Sequence, residues 1–142
     1  MLVNFYLRKG VVYLPTLAKI QSGGYWEGDP VAVIPVNDSD ALRTAFHETL
    51  SRGNPPIPPF KDGYPPAAIL KYAGVKRYGT FERGTLSWLI REKDGIFKVI
   101  YQKNVKDSGW VDDPDRIITL PPTSTIDDVC DRVVAILQAH AR

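Results

Sequence analysis

The chain predicts an α+β fold: a mostly antiparallel sheet meander with two main helices packed on one face. Two observations carry this. Strand-like runs come in groups, each followed by a helix, rather than alternating with helices one by one. Tight turns at Arg8-Lys9-Gly10 and Lys93-Asp94-Gly95 join runs rich in branched and aromatic residues, which is how antiparallel hairpins are written in sequence.

The elements follow in order. Residues 2–8 and 11–14 form the first hairpin, with Gly10 free to take the positive φ of a tight turn. Residues 16–20 and 25–27 continue the meander around Ser22-Gly23-Gly24. The apolar run 31–36 is a further strand. Pro35 cannot donate to a ladder, so the strand ends there or lies at an edge. A helix then opens at Asp38 or Ser39, whose short side chains accept from the free N–H groups of a first turn. Leu42, Ala45, Phe46, Thr49 and Leu50 share its buried face, and Gly53 ends it.

Residues 54–66 (NPPIPPFKDGYPP) hold six prolines in thirteen positions, too many for a regular ladder or helix. Two readings stand: a stiff surface connection, with Ile57 and Phe60 buried, or a recognition segment of the PxxP type. Beyond it, Pro66 opens a short helix through Ile69, Leu70 and Ala73, and Thr80 caps a second short turn. Residues 86–91 and 96–103 form a second hairpin, with Phe97, Val99 and Tyr101 on one face. Residues 104–116 read as a polar loop around Trp110, and 116–120 as a short strand stopped by Pro121-Pro122. The last helix is capped by Ser124 or Thr125 and carries Asp127 and Asp128 at the positive end of its dipole. Its apolar stripe runs Ile126, Val129, Cys130, Val133, Val134, Leu137 and Ala141.

At 142 residues the chain is read as one domain, 1–142, with a Pro-rich connection at 54–66. A domain of this size buries roughly two-thirds of its unfolded surface without needing disulfides. Cys130 is the sole cysteine, so no internal disulfide forms, and a reducing, cytoplasmic setting is expected. The N-terminus reads as a strand rather than a signal peptide, and no apolar run reaches the roughly 20 residues that span a bilayer, so no membrane partner is expected. The net charge of +2 is small but unevenly spread. Residues 71–106 hold nine basic and three acidic residues; residues 107–142 hold three basic and seven acidic. Either two faces serve two partners, or two halves neutralise each other in the fold.

No pattern of catalytic groups emerges, so the expectation is a protein that is not an enzyme and needs no cofactor. Cys130 sits on an apolar stripe, where a nucleophilic thiol would lack exposure and an activating base. His47 and His140 lie on different helices without a partner at a metal-binding spacing. Asp112, Asp113 and Asp115 cluster, but their spacing matches no calcium loop, so no metal is expected. Two readings remain: a solvated turn, or, with Trp110, a docking patch for a protein partner. Lys71, Tyr72, Lys76, Arg77, Tyr78 and Arg83 interleave cations with aromatic rings, the composition of surfaces that bind single-stranded nucleic acid; the same residues also suit an irregular packed crossover.

The stretches LVNFYLRKGVVYLPT (2–16), VAVIPVNDSDALRTAF (31–46) and LKYAGVK (70–76) resemble small immunity proteins of bacterial toxin–immunity pairs, including those of contact-dependent growth inhibition. The resemblance covers about the first half of the chain. It implies a non-catalytic inhibitor that binds one cognate toxin, often a nuclease. Inhibitors of nucleases are usually acidic, and residues 107–142 have that sign. Trp110, Asp112, Asp113 and Asp115 are therefore the expected partner contacts. The alternative is a nucleic-acid or anion-binding module built on 71–106.

Overall fold

The structure, a computed structural model, describes residues 1–106 and 108–141; Asp107 and Arg142 lie outside the described residues. The chain runs β1 (Leu2–Arg8), β2 (Val11–Ile20), β3 (Tyr25–Pro35), α1 (Ser39–Arg52), β4 (Pro56–Ile57), α2 (Ile69–Ala73), α3 (Tyr78–Glu82), β5 (Thr85–Lys93), β6 (Ile96–Val105), β7 (Gly109–Thr119) and α4 (Ile126–His140). One sheet holds the strands in the order β3-β2-β1-β5-β6-β7, with β4 attached to β2 beside that path. Two antiparallel meanders thus lie edge to edge. Their seam is the antiparallel pair β1–β5, in register from Leu2 opposite Arg91 to Arg8 opposite Thr85.

Both expected hairpin turns form. Lys9 and Gly10 have φ of 51° and 76°, and Asp94 and Gly95 have 53° and 80°. Paired positive φ values match the right-handed twist of the flanking strands. Asp38 caps α1 by accepting from Ala41 N–H, and Gly53 closes it with a φ of 67°. Thr125 and Asp128 cap α4 reciprocally, each side chain accepting from the other's backbone N–H.

Side chains on alternate positions of β1 face opposite sides of the sheet. Val3, Phe5 and Leu7 join Trp88, Ile90, Val99 and the apolar faces of α1 and α4 in the main core. Phe5 stacks on Trp88, and Phe46 of α1 meets Phe5 edge-on. Tyr6, one step out of phase, points the other way and packs with Tyr13, Ile69, Leu70 and Phe81 in a second, smaller core. The two main helices do share one face, as the sequence predicts. The 66–84 crossover, with α2 and α3, covers the other.

Several local expectations change. The stretch read as a polar loop is mostly strand: β6 continues to Val105 and β7 begins at Gly109. Edge strands tolerate proline and charge, so Pro114 and three aspartates do not prevent pairing. They do distort it, since four residues, Asp113 to Arg116, stand opposite Tyr101 alone. The proline segment does make a ladder, over two residues. There Lys19 and Gln21 N–H donate to the Pro55 and Ile57 carbonyls, so the N–H groups that proline lacks are not needed. Ile57 and Phe60 are half-buried rather than buried. Thr80 lies inside α3, whose N-cap is Arg77 without a side-chain cap. Ala141 is exposed, one residue past the end of α4.

Candidate functional site

The acidic segment lies on the outer strand β7. Asp112 ends a hydrogen-bond chain that crosses four strands. Asn4 Nδ2 and Ser87 Oγ both donate to Gln102 Oε1, at 3.4 Å and 2.9 Å; Gln102 Nε2 donates to Asp112 Oδ1 at 3.1 Å. The other Asp112 oxygen is 3.3 Å from Arg91 Nη2. Asp113 Oδ1 accepts from Asp115 N–H at 3.0 Å, a local turn within the bulge. Asp115 is exposed, Asp112 and Asp113 half-buried. Asp112 and Asp113 thus engage different partners, and Asp115 takes part through its backbone N–H. Among the described residues, no group of three or more His, Cys, Asp or Glu side chains is arranged to hold a metal ion.

Arg116 fastens the bulge to α4. Its guanidinium lies 3.9 Å over the Tyr101 ring, and its Nη2 is 3.4 Å from His140 Nε2. His140 Nδ1 is 3.0 Å from the Ile136 carbonyl, so the ring fits best with its hydrogen on Nδ1 and its Nε2 accepting from Arg116. His140 also meets Trp88 edge-on. These groups, with Asp115 and the aliphatic chains of Ile117, Ile118 and Ile136, line a cleft of about 230 Å³. His47, by contrast, is exposed and lies 3.7 Å from Asp127.

The basic residues from Lys71 to Lys106 are all exposed. Lys71 pairs with Asp29 at 3.0 Å, and the Tyr72 hydroxyl donates to the same carboxylate at 2.6 Å. The Tyr72 hydroxyl, then Lys71, hold Asp29 below the usual carboxylate range. Among the described residues, Lys76, Arg77, Arg83, Lys98 and Lys103 make no ion pair. Only Arg91 with Asp112, among the described residues, bridges the basic segment to the acidic one. The two charged regions therefore do not neutralise each other contact by contact. Of the crossover aromatics, Tyr72 is 41% exposed with Lys71 Nζ 5.1 Å from its ring centre, whereas Phe81 is fully buried and Tyr78 is turned inward.

Tyr78 turns toward a buried polar cluster that the sequence does not announce. Tyr6 of β1 donates its hydroxyl to Glu27 Oε1 of β3, and the Tyr78 hydroxyl is 3.1 Å from that of Tyr6. Glu27 as a residue is only half-buried, but its Oε2 is sealed from solvent and, among the described residues, has no hydrogen-bond partner. The carboxyl, not the stem, decides the electrostatics, and the carboxyl is buried. Burial pushes Glu27 up to about 7, against a smaller opposing effect of the Tyr6 hydroxyl. Burial first, and Glu27 second, raise both tyrosines. Trp110 packs against Tyr6 from the β7 side. Its Nε1 is sealed and outside hydrogen-bond geometry, though near enough to Tyr78 to lower that hydroxyl's pKa slightly. Trp110 is thus half-buried, one edge under the crossover.

Cys130 is buried in the main core, and burial pushes its thiol up to about 11.

No protein-family model matches this chain, and no curated protein matches it. Two of the solved structures that share its fold are these. One is a protein of unknown function from Neisseria meningitidis, at a TM-score of 0.67 and 13% identity, covering 99% of this chain and 94% of that one. The other is a chain of a CdiA-CT/CdiI toxin and immunity complex from Yersinia pseudotuberculosis, at a TM-score of 0.61 and 10% identity, covering 99% and 95%. The α+β architecture is therefore shared end to end. Among the described residues no helix is long and apolar enough to cross a membrane.

Proposed function

We propose that the chain is a non-catalytic binding protein of the immunity type, which occupies and neutralises a cognate bacterial toxin in the cytoplasm. The observation that carries this reading is the end-to-end likeness to a chain of a toxin and immunity complex. Of the two roles in such a complex, this chain suits the binding one. Its cysteine is buried with a raised pKa, His140 packs on Trp88, and His47 lies exposed beside Asp127. The proposed contact surface is the β7 bulge with Asp113 and Asp115, flanked by Asp112 and the outer edge of Trp110.

The test has two steps. The tagged chain is used to capture proteins from an extract of its source, with nuclease and moderate salt. A captured protein is then expressed alone and with this chain. A stoichiometric partner that stops growth alone, and is harmless in co-expression, is the expected result. A partner whose toxicity is unaffected by this chain contradicts the reading.

The unpaired, exposed cations Lys76, Arg77, Arg83, Lys98 and Lys103 favour one second reading, a nucleic-acid or anion-binding module built on 71–106 with Lys71 and Tyr72. It requires affinity for a single-stranded oligonucleotide that falls steeply with salt. Affinity that is absent, or independent of salt, removes it.

A further inference from the structure

We propose that the Tyr6–Glu27–Tyr78 cluster is a proton-operated latch, which holds the 66–84 crossover against the sheet when Glu27 is protonated and loosens it when Glu27 is ionised. This goes beyond the binding reading and does not depend on it.

The geometry places Glu27 where the crossover is fastened. Its backbone carbonyl accepts from Ala68 N–H at 3.1 Å, at the start of the crossover. Its side chain meets Tyr6, which in turn meets Tyr78 on α3, near the crossover's end. Beneath lie Ile69, Leu70 and Phe81, packed on Tyr6 and Tyr13. Lifting the crossover would wet both the carboxyl and this apolar patch.

The Tyr6 hydrogen bond favours the carboxylate, but it reaches only one of the two oxygens, and burial outweighs it. Tyr6 donates to Oε1, while Oε2 has no donor facing it. An ionised carboxylate would therefore keep an unsolvated oxygen, which is costly in a closed site and cheap in an open one. The groups around it offer no compensating charge. From β1 and α3 come tyrosines held neutral by burial. Glu82 of α3 acts on Tyr78 with the same negative sign. From β7 comes the uncharged Trp110, and from β2 Leu17, opposite Glu27 in the ladder. The nearest lysine on α2, Lys71, is committed to Asp29. No cation contributes to the position of Glu27, which burial pushes from 4.5 to about 7.

The direction follows from linkage. The closed state binds the proton more tightly than an open, solvated carboxyl does. Closure is at full strength below the ordinary carboxyl pKa and weakens as pH rises, levelling off above about 7. Between pH 5.5 and 8.5 the two pKa values give a rise of about thirtyfold in the opening constant of the crossover.

The experiment is amide hydrogen exchange of the whole chain from pH 5.5 to 8.5, corrected for intrinsic rates. Segments 69–82 and 126–140 are followed in the wild type and in Glu27→Gln, which keeps an acceptor for Tyr6 but cannot ionise. We expect opening of 69–82 to rise about thirtyfold in the wild type and to stay flat in the variant. Segment 126–140 should stay flat in both. The same rise in Glu27→Gln, no rise in the wild type, or an equal rise in 126–140 would overturn the latch. Carbon NMR of the wild-type Glu27 carboxyl needs no variant to fold. A midpoint near 7 is expected, and one below 5 would overturn the proposal.

Discussion

Arg8 is 8% exposed and, among the described residues, forms no ion pair. Its Nη1 instead donates to the Phe81 and Arg83 carbonyls, at the C-terminal end of α3, and lies 3.4 Å from Thr85 Oγ1. Carbonyls at a helix end carry partial negative charge, so they are suitable partners for a cation. Replacing Arg8 by Met keeps the stem and leaves those acceptors dry. We expect a loss of about 1–3 kcal/mol, read from urea midpoints; an unchanged midpoint would show that the guanidinium contributes nothing net. Cys130 gives a prediction of opposite kind. With its pKa raised to about 11, the native thiol should resist a thiol reagent at pH 8 and react only as fast as the chain opens. Rapid native labelling would contradict its place in the core. These residues also show what could be read in advance. Cys130 declares its burial through helical periodicity. Arg8 and Glu27 do not: each sits in a strand beside a turn, where a charged residue ordinarily faces water. Only the crossover, arriving from about 40 residues away at Ala68 and Glu27, encloses that acid.

Among the elements, β1 and β2 pair only near their hairpin, from Tyr6 opposite Tyr13 to Arg8 opposite Val11. Farther from the turn Asn54 fills the gap. Its Oδ1 accepts from Leu2 N–H at 2.9 Å, and its Nδ2 donates to the Leu2 and Leu17 carbonyls at 2.8 Å and 2.9 Å. One carboxamide thus replaces several ladder bonds, and β4 takes over just beyond it. Asn54→Ala should cost about 2–4 kcal/mol, because it leaves partly buried backbone groups unpaired. Asn54→Asp should not restore this, since its carboxylate would face two carbonyls. Thermal unfolding of both variants checks the point, and a stable Asp variant would refute the assignment. The sequence shows this segment only as a proline-rich gap between helices. Its hairpins and capped helices are legible because each is specified within a few residues. The strand β7 is not, because its pairing depends on a partner strand that tolerates a four-residue bulge.

At the scale of the molecule, the sheet separates charge. The α1–α4 side carries Asp40, Glu48, Asp127, Asp128 and Asp131 against Arg43, Arg52 and Arg132, all exposed. The crossover and the adjoining strands carry the exposed cations of 71–106, bridged to the acidic segment, among the described residues, only through Arg91 and Asp112. Such a division steers a charged partner toward one side, and steering acts on association more than on dissociation. The proposed toxin contact at the β7 bulge therefore has a kinetic signature. Asp113→Asn with Asp115→Asn should slow association with the captured toxin severalfold at about 50 mM salt, and much less at about 500 mM, where the Debye length is only a few ångströms. The dissociation rate should change little, because Asp115 is an exposed, screened charge. Lys76→Gln with Arg77→Gln, on the other side, should leave both rates unaltered. Surface plasmon resonance at the two salt concentrations separates the cases. If the lysine and arginine changes slow association and the aspartate changes do not, the partner is acidic, and it docks on the crossover rather than on β7.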